Sequence, residues 1–134
     1  VASKKKEPVW IERRDGLAIH DRLLAVHGGA SGLRNQGLLE SALARPRHDY
    51  AYADFPDILG MAALYTADVV RNHLFVDGNK RAGFVIGVLF LELNRFELKS
   101  SEEDAAQAVM SLAAGTLDEA GYRAWLGGNV RRKR

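Results

Sequence analysis

Cysteine is absent from this sequence. That rules out disulfide staples, thiol nucleophiles and thiolate-held metals together, so an apolar core has to hold the fold. Proline is scarce, at three in 134 residues, which leaves long stretches free to be helical. No apolar run reaches the roughly 18–20 residues that a membrane-spanning helix requires, and no signal-peptide pattern is present. The expectation is a cytoplasmic protein with no membrane partner. Charge of one sign is missing too: 19 lysines and arginines against 17 aspartates and glutamates leave a net +2. The basic excess sits in Lys4-Lys5-Lys6 and Arg131-Arg132-Lys133-Arg134. Terminal runs of this kind are expected to be solvated, frayed tails, and no direct nucleic-acid binding is expected from them.

What is present is the make-up of one globular domain, 47% hydrophobic and 27% charged, taken to span residues 1–134 with basic ends at 1–8 and 128–134. Apolar residues recur at helical spacing along most of it. Pro8 to Glu12 reads as either a short extended segment or a packed arm. Asp15 is placed to cap a first helix that begins near Gly16, carries Leu17, Leu23, Leu24 and Val26, and ends at His27-Gly28-Gly29. Asn35 caps a second, with Leu38, Leu39, Ala42 and Leu43 on one side, and Pro46 closes it. A polar and aromatic connection from Arg47 to Asp54 leads to a third helix near Pro56, apolar on more than one face.

From Asn79 to about Arg95 the chain is apolar nearly all round, as a buried central helix would be, and Gly83 and Gly87 let a neighbour approach closely. Ser101 to Ala114 and Asp118 to Leu126 complete the set, with Tyr122 and Trp125 turned inward. Strand alternation and internal repeats are lacking. The fold class expected is all-α, a compact bundle of about six helices around a buried central helix.

Between the third and fourth helices lies His73-Leu-Phe-Val-Asp-Gly-Asn-Lys-Arg81. Phe75 is the only large aromatic there, and an apolar ring between a histidine and an aspartate serves most simply as an anchor into the core. Gly78 allows a turn that other residues resist, so that the N–H groups of Gly78, Asn79 and Lys80 can converge on one concavity at a helix N-terminus, where orphan amides and the helix dipole favour an anion. Lys80 and Arg81 open that helix with two cations, a placement the dipole disfavours unless something anionic binds. Asp77 is a hard oxygen ligand suited to a magnesium ion shared with phosphate oxygens. His73 is placed to take a proton from a hydroxyl nucleophile, and Asn79 to hold a phosphate oxygen or orient a neighbour. Taken singly, each has a plainer reading: a capping histidine, an ordinary Asp-Gly turn, a solvated first turn.

The loop resembles the signature of the Fic/Doc family, His-x-Phe-x-Asp/Asn-Gly/Ala-Asn-Gly/Lys-Arg, at His73, Phe75, Asp77, Gly78, Asn79, Lys80 and Arg81. The likeness extends to Ile19-His20, to Gly28-Gly29 with Gly32-Leu-Arg34, to Gly37 through Leu43, and to Phe90 through Asn94. Length and helix layout are similar to the Doc (death-on-curing) branch, the toxin half of a toxin–antitoxin pair. Adenylyl-transferring members have Gly where Lys80 stands and a second Arg where Phe84 stands, so the resemblance implies phosphoryl transfer here in place of AMP transfer.

Carried over residue by residue, the resemblance implies that His73 deprotonates a target threonine and Asp77 holds Mg2+. It implies that Lys80, Arg81 and the Gly78 to Lys80 amides stabilise the moving phosphate of ATP or another nucleoside triphosphate, with Asn79 positioning it. The implied target is elongation factor Tu, whose modification halts translation. The inhibitory motif Ser/Thr-x-x-x-Glu-Gly/Asn of many Fic proteins has no match in this sequence. Restraint by a separate Phd-like antitoxin is therefore implied. Protein AMP transfer, and a catalytically silent module that binds an anion or a protein, stay open beside this reading.

Other features carry less. His20 and His27 lack a His-Glu-x-x-His pattern and are expected to be surface or capping residues. The segment around His48 is expected to be an ordinary loop or a flap that receives a target chain. Gly28 to Gly32 lacks the preceding strand of a nucleotide-binding turn.

Overall fold

Short polar side chains mark where the helices start. The side chains of Asn35, Asp57, Ser101 and Asp118 each accept a hydrogen bond from the backbone N–H three residues on, at Leu38, Gly60, Asp104 and Gly121. Each satisfies one of the orphan amides of a first turn. The structure is a computed structural model, and it describes residues 7–133. Among these residues six helices run in order: α1 Arg13–His27, α2 Gln36–Tyr52, α3 Ile58–Asn72, α4 Asn79–Leu93, α5 Glu102–Ala114 and α6 Glu119–Gly127. Two short strands, β1 Phe96–Leu98 and β2 Val130–Arg132, pair antiparallel. The all-α bundle expected from periodicity is what forms, and among the described residues no helix is long and apolar enough to cross a membrane.

α3 and α4 are the central pair and pack on each other more extensively than any other two elements. α3 is buried along nearly its whole length, from Met61 to Val70 with only Leu64 partly open. Gly83 and Gly87 make this approach possible: a Cβ on Gly83 would lie 2.8 Å from Val70 Cγ1 and 3.1 Å from the Thr66 carbonyl oxygen. Thr66 uses the space, donating its hydroxyl to the Gly83 carbonyl at 2.8 Å. Residues 8–11 form a packed arm. Ile11 is fully buried, its N–H bonded to the Tyr65 hydroxyl, and Asn94 brackets Val9 through both its amide atoms.

Four boundaries differ from expectation. α1 starts three residues early, at Arg13 behind Glu12, and Asp15 acts from inside the first turn by accepting from the Glu12 N–H. α3 starts after Asp57, leaving Pro56 outside. Pro46 does not end α2, which runs on to Tyr52. Its ring is buried, and its neighbours tie this turn down on both sides. Arg45 bridges Asp68 of α3 and Glu119 of α6, while Arg47 pairs with Glu12 and lies over Trp10. These contacts outweigh the one helical hydrogen bond a proline forfeits. The segment around His48 is thus helical, with His48 packed on Tyr52.

The fourth difference is the C-terminal basic run, which folds as β2 on β1, with Arg131 paired to Glu97 and Arg132 over Phe96. The Lys4-Lys5-Lys6 run and Arg134 lie outside the described residues.

Candidate active site

α3 ends at Asn72, and its cap, His73, takes the left-handed conformation with φ 48° and ψ 62°. A non-glycine residue there is strained, and surrounding contacts have to hold it. Arg34 supplies them: its Nε donates to the His73 carbonyl at 2.7 Å, its terminal nitrogen to the Asn72 carbonyl at 2.8 Å, and its backbone N–H to the Leu74 carbonyl at 2.8 Å. The Val76 N–H in turn bonds the Gly32 carbonyl, so that 32–34 and 74–76 meet as a short antiparallel bridge. The Gly-rich turn after α1 thus acts as a brace for the loop.

Past the bridge the loop is clamped from within. Phe75 is buried, as an anchor should be, and the Asn79 side chain closes on its backbone, accepting from the Phe75 N–H and donating to the Phe75 carbonyl, both at 2.9 Å. His20 packs under Phe75, ring on ring, with centroids 3.9 Å apart and planes 9° apart, and its Nε2 donates to the Asp77 carbonyl at 2.8 Å. Only 3% of His20 is exposed, so the surface or capping role expected of it is replaced by a loop-positioning one.

The carboxylate of Asp77 accepts from the Ala30 N–H at 3.2 Å and from the Gly78 N–H at 2.8 Å. Gly29, at φ 119°, lies against it, where a Cβ would come within 2.8 Å of Oδ2. The close approach of that turn to Asp77 therefore depends on glycine.

Gly78 caps α4 in the left-handed region, φ 76° and ψ 22°, with no side-chain cap. The first bond of the helix runs from the Ala82 N–H to the Gly78 carbonyl. Among the described residues the amides of Asn79, Lys80 and Arg81 have no acceptor. Lys80 and Arg81 are exposed and have no carboxylate within salt-bridge distance among those residues. A positive helix end with three open amides and two uncompensated cations is a site built for an anion.

An open groove of about 1320 Å³ runs past this end. His73, Asp77, Lys80 and Arg81 line one part of it, and Phe84, Leu98, Val109 and Met110 line an apolar stretch toward α5.

The structure thus brings His73, Asp77, Gly78, Asn79, Lys80 and Arg81 to one groove wall. Two expected donors change character. The Gly78 amide is taken by Asp77, and the Asn79 side chain is taken by Phe75, which leaves Asn79 only its backbone N–H for a ligand. The open nest is therefore displaced one residue along, to Asn79, Lys80 and Arg81. Two residues that hold the loop, His20 and Arg34, were not singled out by the chemistry of the sequence. Their only signal was their place in the stretches that resemble the family, because each acts on a segment far away in the chain.

Fold and site together define a helical protein organised around a braced loop that feeds a helix N-terminus with open amides. Residues 10–91 match the Fic/DOC family, and the chain belongs to it. It is 30% identical over 101 residues to the protein kinase doc of Escherichia phage P1, covering 75% of this chain and 79% of that one. It is 35% identical over 107 residues to the toxin Doc of Mycolicibacterium smegmatis, covering 78% and 80%. Both relatives are Doc proteins, in keeping with the Doc branch to which length and Lys80 pointed.

Proposed function

We propose that this chain is a Doc-like toxin that acts as a protein kinase, moving the γ-phosphate of ATP or another nucleoside triphosphate onto a threonine hydroxyl of a translation factor, elongation factor Tu by the family resemblance. The observation that carries the reading is the α4 N-terminus: three amides that are open and two cations, Lys80 and Arg81, that are unpaired among the described residues, on the wall of a groove that His73 also lines. Phosphoryl transfer needs little from a protein beyond positioning and charge stabilisation, and this wall offers both. The names of the two relatives, a kinase and a toxin, support the class.

In this reading His73 takes the proton from the threonine hydroxyl as its oxygen bonds to the γ-phosphorus, and the nucleoside diphosphate leaves with the bridging oxygen. Lys80, Arg81 and the open amides hold the charge on the phosphate oxygens throughout. Asp77 fits as the holder of Mg2+. Each of its oxygens accepts one hydrogen bond and keeps a lone pair, and magnesium commonly rests on one or two carboxylates plus substrate phosphates. When bound, the ion would neutralise phosphate charge. Among the described residues no cluster of three acidic or histidine side chains offers an all-protein cage.

Phe84 lines the groove one turn along from Lys80 and Arg81, where the adenylyl-transferring members that the loop resembles have a second Arg, and this departure favours phosphate over AMP transfer. Restraint falls to a separate Phd-like antitoxin, and the protein works in the cytoplasm.

The test is the position of the label. A bacterial extract is incubated with the protein and with ATP labelled at the α- or the γ-phosphate, then again with His73→Ala. Label from γ alone, lost in the variant, is expected. Label from α would make the protein an adenylyl-transferase, and no His73-dependent label would leave a silent binding module.

A further inference from the structure

We infer that Arg34 is a positioning residue for His73, setting the direction in which its imidazole enters the groove. This rests on the reading of His73 as the proton acceptor. Arg34 makes hydrogen bonds to three successive carbonyls, Asn72, His73 and Leu74, two from its guanidinium and one from its own backbone N–H. The Asn72 carbonyl is one of those a helix leaves unpaired where it ends, and the His73 carbonyl belongs to the cap that follows. A planar fork reaching these two fixes both peptide planes, which a single ammonium cannot do.

The need for such a fixture is local. α5 also ends on a left-handed cap, but the residue there is Gly115 at φ 83°, which bears the conformation without strain. α3 has a histidine in that position, so its backbone has to be held from outside. Arg34 is an exposed residue, yet among the described residues it has no carboxylate partner, and both guanidinium bonds go to this one turn. It also lies beside the negative end of the α3 dipole, where a cation is favoured. With the peptide planes on both sides of His73 fixed, the Cα–Cβ direction of that residue is fixed as well, and only its side-chain torsions remain.

Arg34→Lys keeps the charge and removes the fork, with the exposed Arg14→Lys as control. Three readouts separate positioning from simple capping. In the Lys variant the far-UV spectrum is expected to stay that of the folded protein while the His73 ring resonances and the amides of 72–74 shift. The rate kcat is expected to fall by about 100-fold, the scale of a small misplacement, with KM nearly unchanged. In a His73→Gly background, where the left-handed turn costs nothing, Arg34→Lys is expected to lower Tm more than it does in the parent, where relaxation of the strained turn offsets part of the lost bonds. Unshifted His73 resonances, an unchanged kcat, or equal losses of Tm in the two backgrounds would each overturn the inference. Shifted resonances and unequal Tm losses in a protein with no transferase activity would uphold the positioning and overturn the proposed reaction instead.

Discussion

At Asn79 the side chain serves to clamp the loop, and only the backbone N–H stays open to a ligand. The side-chain amide closes on the N–H and C=O of Phe75, a residue only 1% exposed, so removing it leaves two buried backbone groups without partners. Asn79→Ala is therefore expected to lower stability by about 2–6 kcal/mol, at 1–3 for each orphaned group. In urea unfolding this reads as a lower midpoint with an unchanged slope. A loss within 0.5 kcal/mol, on the order of ordinary surface changes, would mean that the loop does not depend on this clamp. The same contrast applies to His20, whose stacking under Phe75 and bond to the Asp77 carbonyl make it part of the loop's floor. His20→Phe keeps a ring under Phe75 but leaves the Asp77 carbonyl without that donor.

Between elements, the α3–α4 contact decides where the loop's two ends stand relative to each other, since α3 delivers His73 and α4 begins at Asn79. Ala at position 83 would gain about 1 kcal/mol of helix propensity. Its Cβ, however, would meet the Thr66 backbone oxygen at 3.1 Å and Val70 Cγ1 at 2.8 Å, and the backbone oxygen cannot rotate away. Overpacking costs about 1–3 kcal/mol, so Gly83→Ala is expected to be destabilising on balance. At Gly87 the obstruction is chiefly the Thr66 hydroxyl, a side-chain atom.

Thr66→Ala should therefore offset part of the loss in Gly87→Ala, with a coupling above about 0.5 kcal/mol in a double-mutant cycle by urea denaturation. Simple additivity would show that the helices do not meet there as described. Elsewhere Arg45 joins three helices through Asp68 and Glu119. Burial pushes the Asp68 carboxyl above the usual carboxylate value, with Arg45 opposing the shift.

For the molecule as a whole, the two phenols sunk in the core set its alkaline limit. Burial pushes Tyr65 and Tyr122 up to about 12 from 10.0. The folded state then holds both protons more tightly than the unfolded chain. Stability from this source is complete below pH 10 and is lost as pH rises toward 12, by about 1.4 kcal/mol per pH unit for each tyrosine at its steepest. Chemical denaturation across that range, with phenolate absorbance followed in parallel, is expected to show this fall, and Tyr122→Phe should make it about half as steep. A flat profile would contradict the burial of these rings.

What the sequence determined by itself is what neighbours along the chain decide. Asn35, Ser101 and Asp118 mark helix starts, Gly78 marks the turn, and Lys80 with Arg81 stand at a helix N-terminus, all because a cap or a first turn involves residues within four positions. Only tertiary structure decided which polar groups of the loop stay open. That choice depends on Ala30, His20 and Arg34, which reach the loop from α1 and the turn after it. Contacts between α2 and its neighbours likewise carried that helix through Pro46, and pairing with β1 turned a basic tail into a strand. Partners this far apart in sequence leave no periodic trace in it, and burial sets their interaction strength.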